Sequence, residues 1–347
     1  MPAFDTKVVM APRSSSMPFR PRRFPRMPVH DLGYREWQGT RTQRVLRPFF
    51  VARSGISLVW RRRWIRMMLM LAWLPIIVPA AGIFSFEFAA SEPGARGMVF
   101  QLLRGPLQRP DLALQAMSNP SEARHEIWST LILAFFRVPQ LTAMVLLVGL
   151  IAPMLVSYDL RSKAYLLYFS RPLSPAEYIA GKSAVVWAFL FMIVTVPALV
   201  LYVIGVLLSP DLSVVSETWD IPLRILAASL VLVVPTTALA ICFSSCTSES
   251  RYASFAWFAT WVMGFVAYQV LTTMSAMNGP RGRPMEEIDF DRWRLLSPYH
   301  TLGKVESWVF GLDTTDGSVW PAIVLLAGIT VIGTAIVRRR IIARLSV

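Results

Sequence analysis

The chain has 347 residues, of which 54% are hydrophobic, and its mean hydropathy is +0.49. This composition excludes an ordinary soluble domain, and the length excludes a large multidomain transporter. The formal net charge is +14, but the Lys and Arg residues flank apolar segments and no nucleic-acid-binding motif accompanies them. Because of that placement, we expect membrane lipids and not nucleic acid as the partner of the charge. The sequence predicts an all-α, polytopic membrane protein.

The first segment, residues 1–40, is rich in Pro and Arg. Such a composition cannot bury a core, so we expect a disordered cytoplasmic tail. A leader rich in Arg and Ser and poor in acids is also typical of an organelle transit peptide, and that alternative stays open for residues 1–30.

Residues 41–64 combine basic residues with apolar residues that recur at spacings of three and four. That spacing places the apolar side chains on one face of a helix. We therefore expect an N-terminal interfacial helix that leads into the first span. A basic anchor without a defined helix is the alternative. The recurring apolar residues are Val45, Phe49, Ala52, Ile56 and Val59.

Six apolar segments are long enough to cross a bilayer, which takes roughly 20 residues per helix. The predicted spans are residues 65–86, 138–157, 183–208, 222–245, 252–274 and 319–337. Of the 35 Lys and Arg residues, 24 lie in the segments on one side of these spans, including both chain ends. Since basic residues concentrate in cytoplasmic segments, both termini are predicted to be cytoplasmic. Residues 87–137 and 275–318 are then the large outer loops.

Arg137 lies beside Gln140 at the predicted outer end of the second span. An arginine in this position lines a hydrophilic path or extends its guanidinium to the lipid head groups, and both interpretations stay open. In the last outer loop, Trp293 and Tyr299 belong to a segment that we expect to form an interfacial helical element at head-group level.

A polar segment, residues 158–182, separates the second and third spans. In its first part Asp159 and Lys163 are spaced for an i,i+4 ion pair on the polar face of a short amphipathic helix. Pro172 disfavours helix at the residue before it and ends this element. Ser174, followed by Pro175 and Glu177, predicts an N-cap with a capping box, so a new helix begins there and continues into the third span.

The triplet Gly181-Lys182-Ser183 resembles the end of a P-loop, but Ala176 stands where that motif requires an earlier glycine. The preceding segment is also a capped helix and not a glycine-rich loop after a strand. We therefore expect no cofactor in this chain, with any ATP and Mg²⁺ bound by a partner. Cys242 and Cys246 have no third ligand nearby, which favours structural thiols over a metal site.

The region from the second to the third span resembles the permease subunits of type-2 ATP-binding-cassette (ABC) transporters. The resemblance rests on the order of its parts: the second span, a polar helix, the turn Arg171-Pro-Leu-Ser, the sequence Glu177-Tyr-Ile-Ala-Gly-Lys and the third span. The resemblance covers nearly everything after residue 30. It implies a permease domain over residues 41–347 in the inner (plasma) membrane. A second permease subunit and a separately encoded ATPase subunit would complete the transporter.

The resemblance also implies that segment 158–182 is the coupling helix that docks on the ATPase, and that the last outer loop holds a gate. The direction implied is export. The candidate residues for polar contact with the ATPase are Asp159, Arg161, Lys163, Arg171 and Glu177. The candidates for apolar contact are Tyr165, Leu166, Tyr168 and Phe169. The candidate pathway or gate residues are Arg137, Gln140, Trp293 and Tyr299.

Two alternatives to the permease stay open. One is a non-transporting membrane anchor or sensor that recruits an ATPase, because it would share every feature of the coupling segment. The other is a membrane-embedded enzyme. The sequence offers no buried His, Asp or Glu constellation for such an enzyme, because Glu87, Arg137 and Arg224 all fall near predicted span ends. His300 has no nucleophile or ligand set around it, so no catalytic residue is predicted. Few polar side chains lie in the spans, which favours amphipathic or lipid-like cargo over ions.

Overall fold

The computed structural model describes residues 47–92, 94, 96–105, 109–164, 168, 173–211, 213–278, 291–312 and 317–345. Every regular element in these ranges is helical, as predicted for an all-α protein. The predicted tail, residues 1–40, and the first part of the predicted interfacial helix, residues 41–46, lie outside the described residues.

Sixteen α-helices are described in these ranges. They are α1 (Arg47–Trp60), α2 (Arg63–Trp73), α3 (Ile77–Ser91), α4 (Arg96–Arg104), α5 (Pro110–Ser118), α6 (Pro120–Pro139), α7 (Val145–Leu155), α8 (Ser157–Arg161), α9 (Pro175–Leu190), α10 (Val196–Leu208), α11 (Val214–Glu217), α12 (Ile221–Cys246), α13 (Ser250–Asn278), α14 (Asp291–Arg294), α15 (Pro298–Phe310) and α16 (Trp320–Leu345).

Six helical segments are long and apolar enough to cross a membrane, which confirms the six predicted spans. Three of them consist of consecutive helices joined by tighter or wider helical turns: a 3₁₀ turn at Leu74–Ile76 and π turns at Gln140–Met144 and Phe191–Thr195. Spans 1 to 6 are Arg63–Ser91, Glu122–Arg161, Pro175–Leu208, Ile221–Cys246, Ser250–Ser275 and Trp320–Ala343.

Span 2 is far longer than the 138–157 segment expected from hydropathy. Its 40 residues run from Glu122 to Arg161, so residues 122–137, expected in an outer loop, are helical and continuous with the span. At 1.5 Å per residue this helix is roughly 60 Å long, about twice the hydrocarbon thickness of a bilayer. Arg137 therefore lies within a continuous helix and not at a helix end.

The centre of the molecule is formed by spans 2 and 4. Their most apolar 18-residue windows are each 61% buried, against 28%, 17% and 22% for spans 1, 5 and 6. Spans 1, 5 and 6 therefore leave wide apolar faces uncovered by this chain, as expected of helices that contact lipid or another membrane subunit.

Helix α1 packs along the first part of span 3. At Gly181 a Cβ atom would lie 2.6 Å from Cβ of Val51 and 2.9 Å from the carbonyl oxygen of Pro48. Glycine therefore permits the backbones of α1 and span 3 to approach closely. Of the apolar residues expected on one face of α1, Ala52 and Val59 are buried, but Phe49 is exposed.

The loops fall into two sets. Segments 92–121, 209–220 and 276–319 join spans 1–2, 3–4 and 5–6, and we call their side of the bundle the distal face. Segments 162–174 and 247–249 join spans 2–3 and 4–5 at the opposite, proximal face. Helix α15 belongs to the distal segments and packs against spans 2, 4, 5 and 6.

Candidate functional site

A buried ion pair lies where span 2 ends and span 3 begins, at the proximal face. Lys182 Nζ lies 2.7 Å from Asp159 Oδ2, and the two side chains are only 5% and 10% exposed. The Tyr178 hydroxyl donates a hydrogen bond of 2.8 Å to the same carboxylate oxygen. Because buried charges are stable only when paired and hydrogen-bonded, this contact fixes the end of span 2 against the start of span 3.

The local sequence explains why both partners on span 3 face Asp159. Ser174 Oγ accepts a hydrogen bond of 3.2 Å from the Glu177 amide, and the Glu177 carboxylate accepts one of 2.7 Å from the Ser174 amide. The predicted capping box is thus confirmed, and it sets the first turn of span 3. Tyr178 and Lys182 are four residues apart in this helix and so share one face.

Aromatic rings surround the lysine. Its Nζ lies 5.4 Å from the centre of the Tyr168 ring and 5.5 Å from that of Tyr178, and the two ring centres are 5.5 Å apart. Ammonium groups at such distances are attracted to the ring faces. We call Asp159, Tyr168, Tyr178 and Lys182 the proximal cluster.

The predicted i,i+4 pair between Asp159 and Lys163 is wrong. Helix α8 ends at Arg161, and Lys163 has a φ of 54°, outside helical geometry. The Asp159 carboxylate pairs instead with Lys182, which is 23 residues further along the chain. Asp159 is consequently a buried structural partner and not an exposed charge.

The remaining candidates for ATPase contact are placed differently. Arg161 is mostly exposed and lies 3.4 Å from Glu249, which precedes span 5. Lys163 is exposed, and Glu177 serves in the capping box. The candidates Tyr165, Leu166, Phe169 and Arg171 lie outside the described residues.

A small hydroxyl cluster also joins the proximal ends of spans 2 and 4. Ser157 donates from its amide to Ser244 Oγ at 3.0 Å and from its hydroxyl to the Ser244 carbonyl at 2.8 Å. Ser244 Oγ in turn donates to the Ala152 carbonyl at 2.9 Å. Small hydroxyl residues allow helices to approach closely and bond across the contact. The proximal end of span 2 is therefore fixed to two spans.

A second buried polar group lies in the distal half of the same span, near its middle. Gln140 Nε2 donates a hydrogen bond of 2.6 Å to Glu306 Oε1, and Arg137 Nη1 donates to Gln140 Oε1 at 2.9 Å. Arg137 also lies 3.5 Å from Glu306 Oε2. Gln140 and Glu306 are both fully buried. Helix α15 is thereby attached to span 2 beside its π turn, an irregularity frequent at functional sites.

Tyr299 and Gly303, also on α15, shape the arginine site. The Arg137 guanidinium carbon lies 3.6 Å from the centre of the Tyr299 ring. A Cβ atom at Gly303 would lie 2.5 Å from that carbon, so glycine leaves room for the guanidinium in its observed position. Arg137, Gln140, Tyr299 and Glu306 form what we call the distal cluster. Three of the four predicted pathway residues meet there.

The fourth, Trp293, lies on α14 beneath the Arg292 guanidinium, 4.5 Å from its ring centre. His300 is held by Ser297, whose hydroxyl lies 2.8 Å from Nδ1, and it stacks on Tyr268 at 3.7 Å between ring centres. Burial, together with the positive charges of Arg137 and Arg294, lowers the pKa of His300 to about 4. The imidazole is therefore neutral at physiological pH and packs as an aromatic ring.

Sequence reasoning missed Glu306. It pairs with residues 166 and 169 positions earlier, and no local pattern reveals such contacts. One signal was available, since Leu302 and Phe310 lie four residues to either side and place this acid on an apolar helical stripe. Burial raises the pKa of Glu306 to about 7, although the Arg137 charge and the hydrogen bonds from Gln140 and Arg137 oppose this.

Glu87 forms a third polar contact, also on the distal side. Its carboxylate accepts hydrogen bonds of 3.1 Å from Arg124 Nε and 3.1 Å from Trp128 Nε1. These bonds join the distal ends of spans 1 and 2. Among the described residues no group of three His, Cys, Asp or Glu side chains is arranged to hold a metal ion.

The fold defines a class: a helical membrane protein with six spans in which polar contacts fix span 2 at both faces. Residues 111–340, about two thirds of the chain, match the family model described as "ABC-2 family transporter protein". The chain therefore belongs to the ABC-2 transporter family, which confirms the resemblance seen in the sequence. A comparison with curated proteins found no significant match.

Proposed function

We propose that this chain is the membrane-spanning permease subunit of an ABC exporter, and that a separate ATPase subunit docks on the proximal face at segment 158–182. The observation that carries the proposal is the buried pair Asp159–Lys182. It attaches the end of span 2 to the start of span 3 beside the segment on which the ATPase would push. A force applied there would move both spans as one body.

Charge supports the assignment of the proximal face to the cytoplasm. In the predicted topology 24 of the 35 Lys and Arg residues fall in segments on that side, and cytoplasmic segments carry such an excess. The exposed Arg161 and Lys163 would then be accessible to a cytoplasmic ATPase.

The continuous span 2 supports a mechanism. Its proximal end carries Asp159, and its distal half carries Arg137 and Gln140, which hold helix α15 through Glu306. Conformational changes in transporters commonly proceed as rigid-body shifts of packed helices. Closure of the ATPase dimer would shift the proximal cluster, and span 2 would transmit this shift to α15. On this mechanism α15 acts as the outer gate.

The uncovered apolar faces of the bundle support an assembly of two permease subunits. The lateral spans 5 and 6 bury only 17% and 22% of their most apolar windows within this chain. A second permease subunit and lipid would cover them. The pathway between the two subunits would then carry amphipathic cargo.

The experiment co-expresses the chain with its candidate ATPase and measures ATP hydrolysis in vesicles. The charge reversals Arg161→Glu and Lys163→Glu, made together, should reduce permease-stimulated hydrolysis to the rate of the ATPase alone. The matched control reverses Arg338 and Arg339, two exposed arginines at the end of span 6. The control should retain full stimulation. Unchanged stimulation in the segment variant would refute docking at this site.

A second measurement separates the permease from an anchor that only recruits the ATPase. The complex is purified in mild detergent, and its bound lipids and small molecules are identified by mass spectrometry. The compounds retained are then loaded into vesicles with the complex. ATP-dependent movement of one of them supports the permease, whereas hydrolysis without any movement supports the anchor.

A further inference from the structure

A cavity of about 290 Å³ opens on the distal face between the start of α15 and the start of span 6. It is separate from both polar clusters described above. Its described lining includes Arg292, Arg294, Leu295, Lys304, Pro321 and Ala322.

The charged part of this lining is entirely cationic among the described residues, with Arg292, Arg294 and Lys304 and no acid. Lys304 is only 6% exposed, and Lys304 and Arg294 each take part in other interactions as well. Cations of this kind form strong charge-assisted hydrogen bonds with phosphate or carboxylate oxygens.

The other part of the lining is apolar. Leu295, Pro321 and Ala322 form it, and the last two lie in the first turn of span 6. Trp320, the first residue of that span, is 72% exposed. Tryptophan at a span end is typical of the membrane interface. The cavity therefore lies at the level of lipid head groups, with its apolar wall on the membrane span.

The volume restricts the ligand. Pockets for small molecules enclose roughly 300–1,000 Å³, so this cavity is at the lower limit of that range. It can hold a head group and the first atoms of a tail but not an entire lipid. The tail would leave along the apolar wall of span 6.

We propose that this cavity binds the anionic head group of an amphiphile, a phosphate or carboxylate carried on an apolar tail. The cations hold the head group, and Leu295, Pro321 and Ala322 contact the start of the tail. This proposal does not depend on ATPase docking, because the ligand reaches the site from the membrane. A free phosphate ion would meet the cations alone and would leave the apolar wall unused.

The test titrates the full chain, purified in mild detergent, with dioctanoyl-phosphatidylglycerol and counts the bound molecules by native mass spectrometry. Dioctanoyl-phosphatidylcholine, which has the same tails but no net charge, serves as the neutral probe. Excess inorganic phosphate is added in a competing arm. We expect selective binding of phosphatidylglycerol that phosphate does not displace.

The variant Arg292→Gln with Arg294→Gln should weaken phosphatidylglycerol binding about 25-fold, since each cation near a membrane surface contributes about five-fold. Arg292→Gln alone changes an exposed side chain, leaves folding intact and should weaken binding about five-fold. The control Arg338→Gln with Arg339→Gln removes two exposed cations from the proximal face. Equal affinity in the cavity variants and the control, equal binding of the neutral lipid, or displacement by phosphate would each overturn the proposal.

Discussion

Replacing Lys182 by methionine tests whether the proximal cluster joins spans 2 and 3. Met has a similar length but carries no charge, so the buried Asp159 carboxylate would lose its cation and keep the hydrogen bond from the Tyr178 hydroxyl. Breaking a buried ion pair by removing one partner costs roughly 3–5 kcal/mol, because an uncompensated charge stays in the interior. Asp159→Leu should cost a similar amount, since it strands the ammonium.

The double variant Asp159→Leu with Lys182→Met distinguishes a buried pair from two independent effects. Replacing both charges by apolar groups removes the stranded charge, so most of the single-variant cost disappears. The Tyr178 hydroxyl then loses its hydrogen bond to Asp159, which costs about 1–3 kcal/mol. The double variant should therefore be more stable than either single variant.

Stability is measured by thermal unfolding of the purified chain in detergent, followed by tryptophan fluorescence. Lys163→Met is the matched control, because Lys163 is an exposed lysine of the same segment. Its melting temperature should equal that of the wild type. If the losses in the two single variants add up in the double variant, the two residues do not act as a pair and the reasoning fails.

Two further substitutions test the distal cluster and the packing of α1. Burial raises the pKa of Glu306 to about 7 from an ordinary value of 4.5, so its proton stabilises the folded chain fully below pH 4.5 and this contribution is lost as pH rises through 7. The melting temperature of the wild type and of the exposed control Glu92→Gln should therefore fall between about pH 5 and pH 8. The melting temperature of Glu306→Gln should fall clearly less over the same range. An equal fall in all three proteins would contradict this prediction. Gly181→Ala should destabilise the chain by about 1–3 kcal/mol, because the new Cβ would lie 2.6 Å from Val51 Cβ. Gly328→Ala is the control, because a Cβ there would have no atom within 4 Å, and it should stabilise its helix by about 0.5–1 kcal/mol. Melting curves of the two alanine variants test this prediction. If both variants shift the melting temperature in the same direction, packing at Gly181 is not tight.

Local chemistry accounts for what the sequence predicted well. Each apolar run is long enough to cross a bilayer by itself, so the six spans needed no tertiary information. The capping box at Ser174 involves atoms only three residues apart, and it formed as predicted. The order of spans, polar segment and capped restart was likewise sufficient to predict the ABC-2 family, which the match over residues 111–340 confirms.

The length of span 2 shows where hydropathy stops being informative. Its first sixteen residues, from Glu122 to Arg137, include charged side chains and therefore resemble a loop in composition. In the structure three of their charged or ionisable side chains have partners outside this helix: Arg124 pairs with Glu87, His125 with Asp220 and Arg137 with Glu306. Once such partners are in place a charged stretch can remain helical and packed, and hydropathy cannot reveal partners that are distant in sequence.

Tertiary structure alone decided the pairing of the buried charges. A spacing of four favoured Lys163 as the partner of Asp159, but the helix ends before that pair can form and Lys182 takes its place. Glu306 meets Gln140 across 166 residues in the same way. A buried charge is stable only where the packed helices place an opposite charge or a hydrogen-bond donor beside it. Composition and periodicity therefore determine the spans of this protein, and the packing of those spans determines its polar clusters.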